Sequence, residues 1–253
     1  MLRSPTVEKL QALRLHGLLA AWETQERQPQ SAELSFAERL GLLIDAEWTA
    51  RENRRELQRL KSAKLRLPQA CLEDLDFRTP RGLDKALLRG LATCQWIAQH
   101  QNVICLGPTG TGKTFLACAL ARQACRQGHT VRYFRAPRLF QELALARGEG
   151  SYPQLLGQLA RTELLIVDDW GIAPLTDTER RDFLEVMDDR HGTRSTLLAG
   201  QLPVPHWHEC IGDPTIADAI CDRLVHNAHQ LPLTGGSMRK PRAGLTSPAP
   251  CDK

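Results

Sequence analysis

The stretch Val103-Ile104-Cys105-Leu106-Gly107-Pro108-Thr109-Gly110-Thr111-Gly112-Lys113-Thr114 decides how this chain is read. Its first four residues are apolar and predict a buried parallel strand. Gly107 to Thr114 then fills every fixed position of the phosphate-loop pattern. Phe115, Leu116, Ala117, Ala119 and Leu120 follow at helical spacing. A loop in that setting gathers backbone N–H groups and the positive end of a helix around phosphate oxygens. Gly107, Gly110 and Gly112 leave room for the approach. Lys113 is placed to reach the outer phosphates of a nucleoside triphosphate, and the Thr114 hydroxyl to ligate Mg²⁺. The expected nucleotide-binding set is therefore Gly107, Pro108, Thr109, Gly110, Thr111, Gly112, Lys113 and Thr114.

The complementary half is Leu164-Leu165-Ile166-Val167-Asp168-Asp169, four apolar residues ending in two carboxylates. This is the Walker-B form, in which a strand carries acids to the sheet edge where phosphates sit. Asp168 is expected to hold Mg²⁺ together with Thr114. Asp169 is expected to orient and polarise the attacking water. Two adjacent buried carboxylates repel each other unless a cation sits between them. A further arginine normally neutralises charge growing on the γ-phosphate, and Arg223, within Ala217-Asp218-Ala219-Ile220-Cys221-Asp222-Arg223-Leu224, is the candidate, facing a neighbouring subunit. The expected catalytic residues are thus Lys113, Asp169 and Arg223. The alternative for Arg223 is an ion pair with Asp222 or Asp218 on its own helix.

Around these two motifs the pattern alternates strand and helix, which predicts an α/β fold with a parallel sheet covered on both faces. Strands are expected at 103–106, 130–135, 163–169, 195–199 and 229–233, with helices at 137–146 and 178–189 and a lead-in helix from Leu83 to His100. Residues 1–66 read as all-helical. Leu10, Leu13, Leu18 and Leu19 run at helical spacing to Trp22, and a second helix starts near Ser35 with Glu38 completing a capping box. Leu57, Leu60 and Leu65 suggest that its far end still packs. The predicted organisation is a helical domain at 1–66, a nucleotide-binding domain at 67–240 and a disordered tail at 241–253.

The bulk properties fit a globular protein with a small appendage. The chain has 253 residues, with 42% hydrophobic and 25% charged. No apolar run approaches the ~20 residues of a membrane span, and the first residues lack a signal core. A cytoplasmic protein with no membrane association is expected. The eight cysteines form no Cys-x-x-Cys pair and read as free thiols. His206-Trp207-His208-Glu209-Cys210 lacks a second ligand pair for metal. Net charge is only +4, but residues 51–66 carry seven basic side chains against two acidic ones. Such a patch suits phosphate backbones as well as it suits a solvated helix face.

Taken together these residues resemble the IstB-like ATP-binding proteins, helper ATPases of bacterial insertion-sequence transposition. The likeness runs over about 1–240. It is carried by Gly107 to Thr114, by Tyr133-Phe134-Arg135-Ala136-Pro137-Arg138-Leu139 and by Leu164 to Gly171. Ile211-Gly212-Asp213-Pro214-Thr215 and Asp222-Arg223-Leu224-Val225-His226-Asn227-Ala228 are more specific still. The resemblance implies an AAA+ P-loop NTPase core with a five-stranded sheet, related to the DnaC helicase loader and the DnaA initiator. It further implies ATP and Mg²⁺ as cofactors, double-stranded DNA bound with little sequence preference, self-assembly into a homo-oligomer through the N-terminal helices, and a transposase partner. One departure stands out. Relatives commonly place a Thr-Ser pair before Gln-Leu-Pro, where this chain has Ala199-Gly200; a polar side chain there helps hold the attacking water, and Gln201 is the nearest substitute. Two other functions share the core: a replicative helicase loader, and a nucleotide-gated DNA-binding scaffold with negligible hydrolysis.

Overall fold

The computed structural model describes residues 3–238, so the tail expected at 241–253 lies outside the described residues. The described residues fall into two compact units that divide between Lys61 and Ser62.

The first unit is helical. α1 (Arg3–Ala12) and α2 (His16–Arg27) are separate helices. The leucine spacing predicts one run here, and Arg14, at φ 57°, breaks it. α3 (Phe36–Ala63) opens with the expected capping box, in which Ser35 N donates to Glu38 Oε2 at 2.8 Å and Glu38 N to Ser35 Oγ at 3.3 Å. Glu47 of α3 accepts the backbone N–H of Gly17 at 2.7 Å and of Leu18 at 3.0 Å, so a carboxylate satisfies the orphan donors at the start of α2. Phe36, Leu40, Ile44 and Trp48 recur every fourth residue on α3 and are all exposed. Leu57, expected to pack, is 66% exposed.

The second unit is built on a sheet. The single helix expected from Leu83 to His100 is instead α4 (Lys85–Ala92) and α5 (Gln95–Ala98), because Cys94 takes the left-handed conformation at φ 57°. Then follow β1 (Asn102–Leu106), α6 (Lys113–Arg126), β2 (Val131–Arg135), α7 (Ala136–Glu149), α8 (Tyr152–Arg161), β3 (Leu164–Trp170), α9 (Asp177–Arg190), β4 (Ser195–Gly200), α10 (Trp207–Ile211), α11 (Pro214–Val225) and β5 (Ala228–Pro232). The five strands are parallel in the order β2-β3-β4-β1-β5.

Alternation along the strands sends side chains to two faces. Ile104, Phe134, Leu165, Val167 and Leu198 join one buried cluster with residues of α7, α8, α9 and α11. Their neighbours Val103, Cys105, Tyr133, Ile166 and Leu197 are buried as well, on the face that α6 covers. Continuous burial on both faces explains why β1 and β3 read as apolar runs, while β2 carries Arg132 and Arg135 where it is less buried. Beneath the end of β3, Trp170 stacks on Phe183 with ring centroids 4.5 Å apart and meets Trp207 edge-on at 5.7 Å. That aromatic cluster fixes the strand end bearing the paired carboxylates.

Candidate nucleotide site

The carboxyl ends of β1 and β3 are separated in the sheet only by β4, so two motifs 50 residues apart in sequence meet. Gly107 to Gly112 turns the chain from β1 into α6, with Gly112 at φ 96° as the residue before the helix. A side chain at Gly107 would collide with the carbonyl of Leu233. Leu233 N in turn donates to Leu106 O at 2.6 Å, and Met238 N donates to Gly110 O at 2.8 Å. The segment after β5 therefore straps the loop, a reason for glycine at 107 beyond phosphate access.

Lys113 Nζ donates to the carbonyls of Gly107 and Pro108, each at 2.7 Å. Burial lowers its pKa; the negative charges of Asp168 and Asp169 oppose that shift. Thr114 Oγ1 donates to Asp168 Oδ2 at 2.7 Å. The Tyr133 hydroxyl donates to the same oxygen at 2.7 Å, and Asp169 N donates to Asp168 Oδ1 at 2.9 Å. Asp168 is 1% exposed, so those three donors stand in for water. Burial, and then the adjacent Asp168 charge, pushes the Tyr133 phenol up, so it remains a donor at neutral pH.

Asp169 differs. It sits at φ 59°, where the pairing of β3 with β4 slips between Val167 and Trp170. A bulge of this kind re-aims a side chain. Asp169 accepts from Arg135 Nε at 2.6 Å and has Arg66 Nη1 at 3.6 Å. The slip also presses the Trp170 carbonyl against Gly200, where a Cβ would stand 2.6 Å from the oxygen. The glycine that departs from the expected polar pair is thus required by the local backbone. Gln201 lines the cavity beside it and accepts from Thr109 Oγ1 at 2.8 Å.

These residues wall a cavity of about 680 Å³ whose lining includes Lys113, Thr114, Asp169, Arg66, Arg81 and Gln201. That volume suits a nucleotide-sized ligand. Arg81 is 5% exposed and donates to Thr111 O at 3.2 Å and Asp76 O at 2.6 Å, tying the connector to the loop. Arg66, Arg81 and Arg135 escape a reading of the sequence, since none belongs to either motif's spacing. Thr111 is fully buried and donates to Pro108 O. Arg223 is not brought to this cavity. It pairs with Asp188 of α9 and lines a second cavity where the strands begin. The alternative weighed for it, an ion pair with Asp222 or Asp218 on its own helix, gives way to that contact.

A family model described as IstB-like ATP binding protein matches residues 8–245. The chain belongs to the IstB-like ATP-binding proteins. A relative named as an insertion-sequence ATP-binding protein of Sinorhizobium fredii is 50% identical over 240 residues, covering 95% of this chain and 98% of its own. Among solved structures, the DnaC helicase loader matches 64% of this IstB-like chain and 96% of its own length with TM-score 0.51 at 18% identity. AMPPCP-bound DnaA from Aquifex aeolicus matches with TM-score 0.51 at 17% identity, over 65% of this chain and 50% of its own. At such identities the likeness speaks to the fold, which is the AAA+ P-loop core. This IstB-like protein is an ATP-binding protein of insertion-sequence type. No helix among the described residues is long and apolar enough to cross a membrane.

Proposed function

We propose that this protein hydrolyses ATP as a helper of insertion-sequence transposition, assembling with ATP on double-stranded DNA and acting with a transposase in the cytoplasm. The observation that carries the reading is the hydrogen bond from Thr114 to Asp168, which joins the phosphate loop to the acidic end of β3 beside a nucleotide-sized cavity lined by Thr114 and Asp169.

In this reading Gly107 to Thr114 cradle the triphosphate, and Lys113 leaves its two carbonyl partners for the outer phosphates. Thr114 and Asp168 offer a hydroxyl and a carboxylate within 2.7 Å, the hard oxygen donors that Mg²⁺ takes. Mg²⁺ held there would supply positive charge to the phosphate chain. Asp169, exposed to the cavity, takes a proton from water once Arg135 and Arg66 release it. Arg223, lying outside its own chain's nucleotide cavity, serves the triphosphate of a neighbouring copy. Residues 1–66 form the assembly and DNA-contact domain and 67–240 the ATPase domain; the exposed apolar row on α3 and the basic run at 51–66 support those roles.

Lys113→Ala tests the coupling. Losing charge-assisted bonds to phosphate weakens ATP binding roughly 100-fold, and ATP-stimulated DNA binding disappears with it. DNA binding and assembly indifferent to ATP in the wild-type chain would refute the proposal. A second reading, a nucleotide-gated scaffold with slow turnover, is favoured by the Arg135–Asp169 pair, which occupies the acid meant for water. DNA-stimulated phosphate release that Asp169→Asn removes decides against it.

A further inference from the structure

The second cavity lies at the other edge of the sheet, among the strand beginnings and the ends of α9 and α11. It holds about 260 Å³, below the roughly 300–1,000 Å³ of sites for drug-sized ligands. Its wall includes Arg190, Arg194, Arg223, His100 and His191, and no carboxylate. Asp188 neutralises Arg223 from outside that wall. Arg190 and Arg194 have no carboxylate partner among the described residues.

Arg190 is 1% exposed. Its guanidinium donates to the carbonyls of Leu159, Thr162 and Ser195 and to the Thr196 hydroxyl. These acceptors satisfy donors without cancelling charge. Burial, with the Arg194 charge adding to it, pushes the guanidinium down to about 9, so it is still a cation at neutral pH. Two further buried nitrogens, His100 Nδ1 and Arg194 Nε, have no hydrogen-bond partner. His100 holds φ 56° as the left-handed residue that closes α5, with Gln101 N donating to Trp96 O at 2.8 Å, so its position beside the cavity is fixed by the helix end. Water can satisfy an orphan nitrogen, but it does not relieve the repulsion between two arginines. A small anion does both.

The geometry points to a binding site for a phosphate-class oxyanion in this cavity, held by Arg194, His100 and the buried charge of Arg190, and separate from the phosphate loop. It needs neither Arg223 nor any outcome at the nucleotide site. The occupant is free inorganic phosphate: the volume is too small for a nucleotide. Arg194, whose Nη1 donates to Thr193 O at 2.7 Å while its Nε is unpartnered, has its charge acting on Arg190 and supplies the strongest single contact, with His100 the second.

The test is equilibrium dialysis of the full chain against radiolabelled inorganic phosphate, with the phosphate loop saturated by a non-hydrolysable ATP analogue. One phosphate per chain is expected, weakened roughly tenfold or more by Arg194→Gln, severalfold by His100→Gln, and within a few-fold of wild type in Arg194→Lys. Analogue affinity should not change in any of them, which also shows that the variants are folded. Phosphate that binds only when the analogue is left out, or that ignores both substitutions, overturns the assignment. So does displacement of the ion by a duplex oligonucleotide, which assigns the cavity to a nucleic-acid phosphate instead.

Discussion

The two edges of the sheet are made from the same five strands and carry opposite chemistry. Where the strands end, Asp168 and Asp169 meet a lysine and a glycine-rich turn. Where they begin, three arginines and two histidines surround a cavity with no acid in its wall. One edge has acids that ask for a cation beside a phosphate, and the other has cations that ask for an anion. The edges also differ in how they are assembled. The carboxyl edge draws its reactive groups from two short runs, 107–114 and 168–169. The amino edge collects His100, the Arg190–Arg194 stretch and Arg223 from three separate parts of the chain. Local sequence encodes the first kind of site and hides the second.

The largest effect is expected where chemistry, and not binding, is removed. Asp169→Asn should lower DNA-stimulated turnover by about 10²–10⁴, the range for loss of a general base. Affinity for ATP should stay within a few-fold, because among the described residues Asp169 is paired with Arg135 and Arg66 and has no hydrogen bond to the loop. Phosphate release at saturating ATP, read beside analogue binding, separates the two. An equal loss in both would make Asp169 a binding residue like Asp168 and erase the division of labour between them.

At the amino edge the expected response is structural. Asn102 is 7% exposed. Its Oδ1 accepts from Thr196 N at 2.9 Å and its Nδ2 donates to Arg223 O at 3.1 Å and Leu224 O at 3.3 Å. It fastens the start of β1 to β4 and to the end of α11. Asn102→Ala strands those buried groups and should cost about 2–4 kcal/mol, a fall in melting temperature of about 5–15 °C for a domain of this size. ATP affinity in the folded variant should match wild type. A parallel loss of ATP affinity would show that the two edges are coupled and not independent.

The same contrast explains what could be read in advance. Every expected strand is present; β1 and β3 read most clearly, because burial along their length makes each an apolar run, whereas β5 is mostly half-buried or exposed. Thr114 and Asp168 come within hydrogen-bond distance, since their motifs fix loop, helix and strand together, while Lys113 turns back onto the loop carbonyls. The breaks between helices were harder. Cys94 and Arg14 adopt left-handed backbone without being glycine, so neither announces a turn. α8 is not among the expected helices; it starts at Tyr152-Pro153, and a proline at the first helical positions is compatible with a helix start. Arg135 and Arg66 reach Asp169 only through folding, and Arg223 found Asp188 on another helix in place of an acid on its own. Ala199-Gly200 looked like a lost polar pair; the bulge at Trp170 shows that glycine is what the backbone tolerates.

The smallest effect is the most diagnostic for Asp168. Tyr133→Phe removes one of three donors and leaves an apolar ring of nearly the same shape. Thr114 and the Asp169 amide remain, so the expected cost is about 1–2 kcal/mol, or roughly 2–8 °C in melting temperature. Thr114 and Tyr133 both donate to Asp168 Oδ2. Removing both with Thr114→Val and Tyr133→Phe leaves that oxygen buried with no donor, so the double variant should lose more than the two single losses together, by about 0.5–3 kcal/mol. Denaturant unfolding of the four proteins measures the coupling. Strict additivity would mean that each hydroxyl can leave without the other noticing. The phosphate loop would then not be fastened to β3 through a shared oxygen, and the carboxyl edge, like the amino edge, would be a set of separate contacts.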